Sequence, residues 1–472
     1  MEDKVNKQSV VIIGGGPGGY PAAFYAADHG MEVTLIDAEP NPGGVCVYRG
    51  CIPSKALLHA ARVIEEAREA DQMGLQFGAP KIDVKKLRDW KNSVVQRLTQ
   101  GTGMLRDKRK IKAIQGQAKF TGPHTLQITK PDGAEETLEF DHAIVATGSR
   151  PTVIPALQID SPRLWDSTKA LDLEEIPKKL LVIGGGYIGL EMGTVYAALG
   201  TKVSVIEMTD GLLPGADRDL AKVLAKRLTD KFDSIQLNTK VLALKEQKNG
   251  IKVTIADADG KESNQVFDRA LISVGRTPNT KDIGLDAAGI ECNERGFIPV
   301  DDQRRTAVPH IFAIGDVTGD PMLAHKASHE GIVAVEALLG KKTAFEPQAI
   351  PAVVFTDPEL AWTGLSENEA KARNIPVKVS RFPWTASGRA MSLERTEGVT
   401  KLVCDPDSGR VLGVGIVGVG AGEMIAEGTL AIEMGATAED LKLTIHAHPT
   451  LSETVMEAGE AFYGNAIHAI KR

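Results

Sequence analysis

VVIIGGGPGGYPAAFYAADHGMEVTLIDAEP, residues 10–40, decides the fold, because the chain repeats it: residues 180–210 read LLVIGGGYIGLEMGTVYAALGTKVSVIEMTD. Each copy runs from an apolar strand through a G-x-G-x-x-G turn into a small-residue helix, then a glycine, a second apolar strand and an acid. The turn glycines are Gly14, Gly16 and Gly19 in the first copy and Gly184, Gly186 and Gly189 in the second. In both, 23 positions separate the first glycine from the closing acid, Asp37 or Glu207. A lone G-x-G-x-x-G is as readily a flexible loop as a binding site. Two copies with one spacing point to a pair of βαβ dinucleotide-binding units, with pyrophosphate at each helix N-terminus and an acid for the ribose hydroxyls. Glu207 favours NAD over NADP: it would repel a 2′-phosphate, and Met208, Thr209 and Asp210 supply no cation.

The rest of the chain agrees with an ordinary globular protein. It has 472 residues, 42% hydrophobic and 25% charged, which excludes disorder, collagen-like repeats and a disulfide-rich secreted scaffold. The length suggests about three domains. Glycine is in surplus, 48 residues, and calls for sharp turns and close approaches to ligand. The net charge of -7 argues against nucleic acid as a partner. Residues 9–27 carry no charge and imitate a membrane span, yet Gly14, Gly15, Gly16, Pro17, Gly18, Gly19 and Pro21 would break a spanning helix, and mixed charges precede it. A soluble, unexported, cytoplasmic protein with no membrane partner is expected. Only 4 cysteines fit a reducing compartment, where a disulfide is more often catalytic than structural.

Each repeat closes in a similar strand and turn, AIVATGSRP at 143–151 and LISVGRTP at 271–278. The acid stands 111 positions before Gly148 in the first copy and 68 before Gly275 in the second, so the first carries an insert. Within it, GGVCVYRGCIPSKALLHAAR places Cys46 and Cys51 five positions apart, ahead of an amphipathic helix with Leu58, Ala61 and Ile64 on its apolar face and Pro53 in its first turn. A cysteine at a helix start sees the positive end of the dipole, which favours a thiolate. Two inert core cysteines are the alternative. Cys292 and Cys404 stand alone with no Cys/His cluster, so no metal site is expected.

These segments together resemble the pyridine nucleotide-disulfide oxidoreductase family over essentially the whole chain. The resemblance rests on both glycine turns, the CVYRGCIPSK segment, FAIGDVTG at 312–319 and HAHPTLSE at 446–453. Val47-Tyr48-Arg49-Gly50 stands where the family commonly has Leu-Asn-Val-Gly, with the spacing kept, and Asp37 where Glu is frequent. The resemblance implies an α/β fold of two Rossmann-like FAD/NAD(P)-binding domains plus a C-terminal α+β dimerisation domain. The boundaries expected are 1–150 for FAD, 151–280 for NAD, 281–350 for a central domain completing the FAD site, and 351–472 for the interface. It implies FAD held by Gly14, Gly16, Gly19, Asp37, Lys55, Ala118, Gly148, Asp316 and Ala324, and NAD held by Gly184, Gly186, Gly189, Glu207, Val241 and Gly275. It also implies a redox-active disulfide between Cys46 and Cys51, with His448 as acid/base oriented by Glu453 and reaching the disulfide of a partner subunit in a homodimer.

On residues alone, Gly315-Asp316 is a turn after a strand, and Thr450 with Glu453 is a capping box opening a helix, with His448 an ordinary loop histidine. His446 is the competing histidine, and His448 is preferred. The C-terminal stretch reads as strands in KLVCDP and VLGVGIVGVG and a helix in EMIAEGTLAIEMG. The resemblance implies NAD-dependent oxidation of protein-bound dihydrolipoamide to lipoamide, in 2-oxo acid dehydrogenase or glycine cleavage complexes, with the lipoyl domains of a dihydrolipoyl acyltransferase as partner. A glutathione-type NADPH reductase would show cations near the second ribose. A mercuric reductase would add a C-terminal Cys pair. A purely structural subunit would have no need of intact cysteines and His448.

Overall fold

Both copies of the repeat form the same strand, turn, helix and strand in a computed structural model, which describes residues 9–469. The strands Ser9–Ile13 and Glu32–Asp37 flank the helix Gly19–Asp28, and the strands Lys179–Ile183 and Lys202–Ile206 flank the helix Tyr187–Ala198. In each copy the two strands pair in parallel with the same register, Ile13 opposite Ile36 and Ile183 opposite Ile206. The first strand of each copy is a continuous apolar run, residues 10–13 and 180–183, because both of its faces are covered, as parallel sheets require. Val10, Ile12 and Leu35 enter one core, and Val11, Ile13 and Ile36 enter the other.

The chain divides into two compact units. Among the described residues the first comprises 9–56, 85–152 and 275–346, and the second 57–84, 153–274 and 347–469. The first unit is built on a five-stranded sheet in the order Ile311–Ala313, His142–Val145, Ser9–Ile13, Glu32–Asp37, Lys112–Gln115. Its other pieces are the helix Val84–Lys108, a three-stranded antiparallel sheet over Gln117–Gly122, Thr125–Thr129 and Glu135–Glu139, and the pair Ser149–Pro151 with Arg276–Pro278. That pair refines the reading of 271–278 as one closing strand. Arg269–Ile272 ends against Lys179–Ile183 in the second unit, and Arg276–Pro278 crosses to the first.

The second unit holds the other five-stranded parallel sheet, in the order Ser234–Gln236, Lys202–Ile206, Lys179–Ile183, Arg269–Ile272, Leu164–Trp165. It also holds an antiparallel five-stranded sheet, Ala352–Val354, Glu359–Gly364, Val411–Gly418, Val399–Cys404 and Lys378–Pro383, packed with the helices Ala421–Glu433 and Glu453–Tyr463. The expected C-terminal strands and helix are all present. The architecture is two Rossmann-like dinucleotide folds plus an α+β region. The uncharged run 9–27 is a strand, a turn and a helix, and no helix among the described residues is long and apolar enough to cross a membrane.

One polar knot fixes the antiparallel sheet to the helix Arg218–Lys231. Lys401 is 1% exposed, and its ammonium donates to Asp217 at 2.6 Å, Asp219 at 2.8 Å and Glu367 at 3.3 Å. Asp217 also accepts the backbone N–H groups of Glu367 and Asn368. Burial pushes the Asp219 carboxyl up, but Lys401 and Arg381 outweigh it and hold it below the ordinary carboxylate range. A depressed carboxyl contributes stability that is full above its unfolded value, near 3.9, and lost as pH falls through the folded one. Lys401→Ala leaves three clustered acids without their central cation and should cost about 3–5 kcal/mol at pH 7. Thermal melts should show the gap to wild type narrowing only below about pH 4, as pH falls toward the depressed Asp219 value. An equal gap at pH 2.5 and pH 7 would contradict this account.

Candidate active site

The first and third glycines of each turn are dictated by contact. Gly14 and Gly184 both have φ +106, and a Cβ there would meet the carbonyls of Ala146 and Ser273; a Cβ on Gly19 or Gly189 would collide with the Gly14 or Gly184 carbonyl. The middle glycine differs. A Cβ on Gly186 would meet nothing within 4 Å, and one on Gly16 only the Gly44 Cα at 3.9 Å. The space beside each turn is therefore a cradle that a pyrophosphate fits, at the N-terminus of a helix with free N–H groups.

The acids close the turns in parallel ways. Asp37 Oδ2 accepts the Gly15 N–H at 2.5 Å and Oδ1 the Glu39 N–H at 2.7 Å. Glu207 Oε2 accepts the Gly185 N–H at 2.6 Å and Oε1 the Thr209 N–H at 2.8 Å. Gly43 N–H donates to the Gly15 carbonyl as Leu213 N–H does to that of Gly185. Both acids thus brace their own turn. A carboxylate oxygen has two lone pairs, so this leaves acceptor capacity for ribose hydroxyls. Burial pushes the Asp37 carboxyl up, against the Gly15 N–H and the Arg49 charge.

The helix Cys51–Glu69 begins at Cys51, placing that thiol at the positive end of a 19-residue helix, while Cys46 lies in the short helix Gly44–Arg49 before it. Cys51 is exposed and Cys46 half-buried, both as thiols. The Cys46 thiol is pushed well above its ordinary range, first by its hydrogen bond with Cys51 and then by burial, against the Cys51 N–H and the Lys55 charge. The two sulfurs are therefore unequal: burial and the Cys51 hydrogen bond favour the protonated form of Cys46, and the helix dipole favours a thiolate at Cys51. Lys55 follows one turn into the same helix, half-buried.

Asp316 sits in the one-turn helix Gly315–Val317 and accepts the Ser149 hydroxyl, which itself accepts Arg276 Nε at 2.7 Å. Glu330, wholly buried, accepts the Gly315 N–H at 2.6 Å and pairs with Lys326 at 3.0 Å and Arg304 at 3.1 Å. Sequence reasoning missed Ser149, Arg276 and Glu330; the one available signal was Lys326 four residues before Glu330 on a helix. Ala118 lies half-buried on Gln117–Gly122, Gly148 has φ +69 just before Ser149–Pro151, and Ala324 opens the helix Ala324–Leu338. The first unit thus holds all nine residues assigned to FAD, both cysteines and Gly275, whose carbonyl accepts the Thr152 N–H at 3.0 Å.

The second unit holds Gly184, Gly186, Gly189, Glu207 and Val241. Val241 is 8% exposed in a hydrophobic core cluster, which leaves its backbone rather than its side chain for a ligand. The same unit carries the two C-terminal histidines. His448 is 79% exposed, with Nδ1 at 2.9 Å from Glu453 Oε1, and Glu453 Oε2 accepts the Thr450 N–H at 2.8 Å. Burial opposes the Glu453 charge, but Thr450 N–H and His448 hold the carboxyl below its ordinary range. His446 is 6% exposed, with Nε2 at 2.7 Å from Glu427 and Nδ1 on the Thr444 carbonyl. The expected capping box is half formed. The helix starts at Glu453, and the Thr450 hydroxyl turns to the Ala447 carbonyl and Ser452 instead of the helix N–H groups.

Comparison with known proteins places this geometry. Residues 8–331 match the family described as pyridine nucleotide-disulphide oxidoreductase, and residues 350–459 match the dimerisation domain of the same family. The dihydrolipoyl dehydrogenase of Vibrio cholerae is 50% identical over 458 residues, covering 97% of this chain and 96% of that protein. That of Haemophilus influenzae is 50% identical over 461 residues, covering 97% and 96%. Among solved structures, LpdA from Mycobacterium tuberculosis superposes with a TM-score of 0.88 at 29% identity, covering 96% of this chain and 99% of that one.

Proposed function

Because the chain belongs to the pyridine nucleotide-disulphide oxidoreductase family, we propose that it is an NAD-dependent flavoprotein that oxidises protein-bound dihydrolipoyl groups through a Cys46–Cys51 disulfide. The observation that carries this reading is the inequality of the two sulfurs, beside 50% identity to a dihydrolipoyl dehydrogenase over 97% of the chain. FAD fits the first glycine cradle with Asp37, Lys55, Ala118, Gly148, Asp316 and Ala324, and NAD fits the second with Glu207, Val241 and Gly275. When bound, the flavin supplies a two-electron acceptor for the cysteine pair and the nicotinamide a terminal hydride acceptor.

The protein's own groups do the rest. Glu453 accepts from Nδ1 of His448, which leaves the lone pair on Nε2 at the exposed edge of the ring. There it takes the proton of a substrate thiol. The substrate thiolate attacks Cys46 Sγ and expels Cys51, the thiolate that the helix N-terminus stabilises and therefore the better leaving group. The second substrate sulfur then attacks the first, closing the substrate disulfide and releasing Cys46, which takes up a proton.

Glu207, 7% exposed and with no cation adjacent in sequence, selects NAD. Dihydrolipoamide-dependent reduction should prefer NAD over NADP by at least about tenfold in kcat/KM, the equivalent of ~1.4 kcal/mol; equal rates would sink this assignment. The chain works as a homodimer, in which His448 and Glu453 of one copy serve the cysteines of the other. Supporting this, Leu430, Met434, Leu443 and Ile445 are more than 60% exposed within the stretch matching the dimerisation domain. Light scattering should give twice the 50.4 kDa chain mass, and a monomer with full activity would exclude the arrangement. Lipoyl domains of a dihydrolipoyl acyltransferase are the macromolecular substrate, the cytoplasm is the compartment, and the four segments 1–150, 151–280, 281–350 and 351–472 carry FAD, NAD, the completion of the FAD site and the subunit interface.

A further inference from the structure

Tyr48 and Arg49 stand between the two cysteines, yet both side chains are engaged elsewhere. The Arg49 guanidinium pairs with Glu39, and its charge reaches Asp37. The cation that acts on Cys46 is Lys55. The Tyr48 hydroxyl donates to the Asn41 carbonyl at 3.1 Å and is bonded to the side chain of Thr99. Residues 38–43, which lead from Asp37 to the helix Gly44–Arg49, are thus gripped at two points by the redox segment. From the other side, the same loop is held by Arg106 on the Pro40 carbonyl at 2.9 Å, Thr102 on that of Pro42 at 2.6 Å and Gln115 on that of Ala38 at 2.9 Å.

We propose that Tyr48 and Arg49 are positioning residues that couple the oxidation state of Cys46 and Cys51 to retention of the adenosine end of the flavin. This rests on the reading of the first unit as the FAD site. Cys46 and both grips share one helix of six residues. Forming a disulfide brings two sulfurs from hydrogen-bond contact to about 2.05 Å, and a helix that short passes the displacement on to Glu39 and Asn41. Those residues stand two and four positions after Asp37, whose carboxylate braces the cofactor turn and accepts the Glu39 N–H. Tyr48 and Arg49, with Val47, are the positions at which the redox segment departs from the family's common residues.

Coupling is reciprocal, so it must appear at both ends. In the holoenzyme, Arg49→Ala combined with Tyr48→Phe should speed flavin release in mild guanidinium, followed by flavin fluorescence, about tenfold. It should also shift the thiol-disulfide equilibrium of Cys46 and Cys51 against glutathione by at least about threefold. Arg49→Lys, which keeps the pair with Glu39, should stay within about twofold of wild type on both. Arg106→Ala loosens the same loop from the helix Val84–Lys108 and should speed release without moving the cysteine equilibrium. Release within twofold of wild type in the double variant overturns the proposal. So does a double variant that behaves like Arg106→Ala, since the grips would then be ordinary loop contacts. Wild-type protein without flavin would instead remove the FAD reading on which the proposal stands. Should the double variant not fold, Tyr48→Phe and Arg49→Ala taken singly carry the same two measurements.

Discussion

Cys46→Ser is expected to lower dihydrolipoamide-dependent NAD reduction by about four orders of magnitude or more, the loss that follows removal of a group that forms a covalent intermediate, while leaving the flavin bound. Serine is close in size, so the half-buried site is not emptied. What disappears is the sulfur that accepts the substrate thiolate and forms the disulfide with Cys51. The residues proposed to hold the flavin act through backbone groups, Asp37, Lys55 and Asp316; of these only Lys55 acts on Cys46, and it does so through its charge. Two measurements on the purified variant decide the matter: turnover at saturating NAD, and visible flavin absorbance after gel filtration. Loss of turnover with retained absorbance is the expected pair. Loss of the flavin would mean that Cys46 is a structural contact of the cofactor site, and retained turnover would remove the disulfide from the mechanism.

Glu453→Gln should cost between two and four orders of magnitude in turnover with little change in melting temperature. The amide oxygen of glutamine can still accept the Thr450 N–H that Glu453 Oε2 accepts, so the start of the helix Glu453–Tyr463 keeps its partner. Its amide N–H₂, however, would face His448 Nδ1 and force the proton onto Nε2, the nitrogen that must act as base. His448→Gln should fall at least as far, because no proton acceptor remains. In the wild type the Glu453 carboxyl lies below its ordinary range because Thr450 N–H and His448 outweigh burial. Its orienting bond is therefore fully present above the ordinary glutamate value, near 4.3, and lost as pH falls through the lower folded value. Turnover within threefold of wild type in Glu453→Gln would reduce Glu453 to a helix-start acid.

The capping box read from Thr450 and Glu453 shows where local pattern stops. Spacing identified the acid, but the Thr450 hydroxyl had a competing acceptor in the Ala447 carbonyl, and only half of the box formed. Asp316 shows the complementary case. Read alone it was a turn residue, and it is in a turn; its ties to Ser149 and, through it, Arg276 join positions more than 120 residues apart, which no periodicity encodes. Glu330 was invisible for a similar reason, since a carboxylate with no exposure is possible only where Lys326, Arg304 and the Gly315 N–H converge on it.

What the sequence by itself determined was the pair of dinucleotide folds and the spacing of Cys46 and Cys51 at the start of a helix. A strand, a tight turn, a helix and a return strand have fixed rises per residue, so a repeated interval of 23 positions between glycine and acid repeats the geometry. The glycines follow from φ and from the absence of room for a Cβ, both local conditions. Only the tertiary structure decided where the charged side chains go. His446 and His448 are two residues apart in one motif, yet one is buried against Glu427 and the other stands exposed on Glu453. Arg49 lies between two cysteines and pairs with Glu39. Backbone sterics act over a few residues and are written in the spacing, whereas an ion finds whatever partner packing brings within reach.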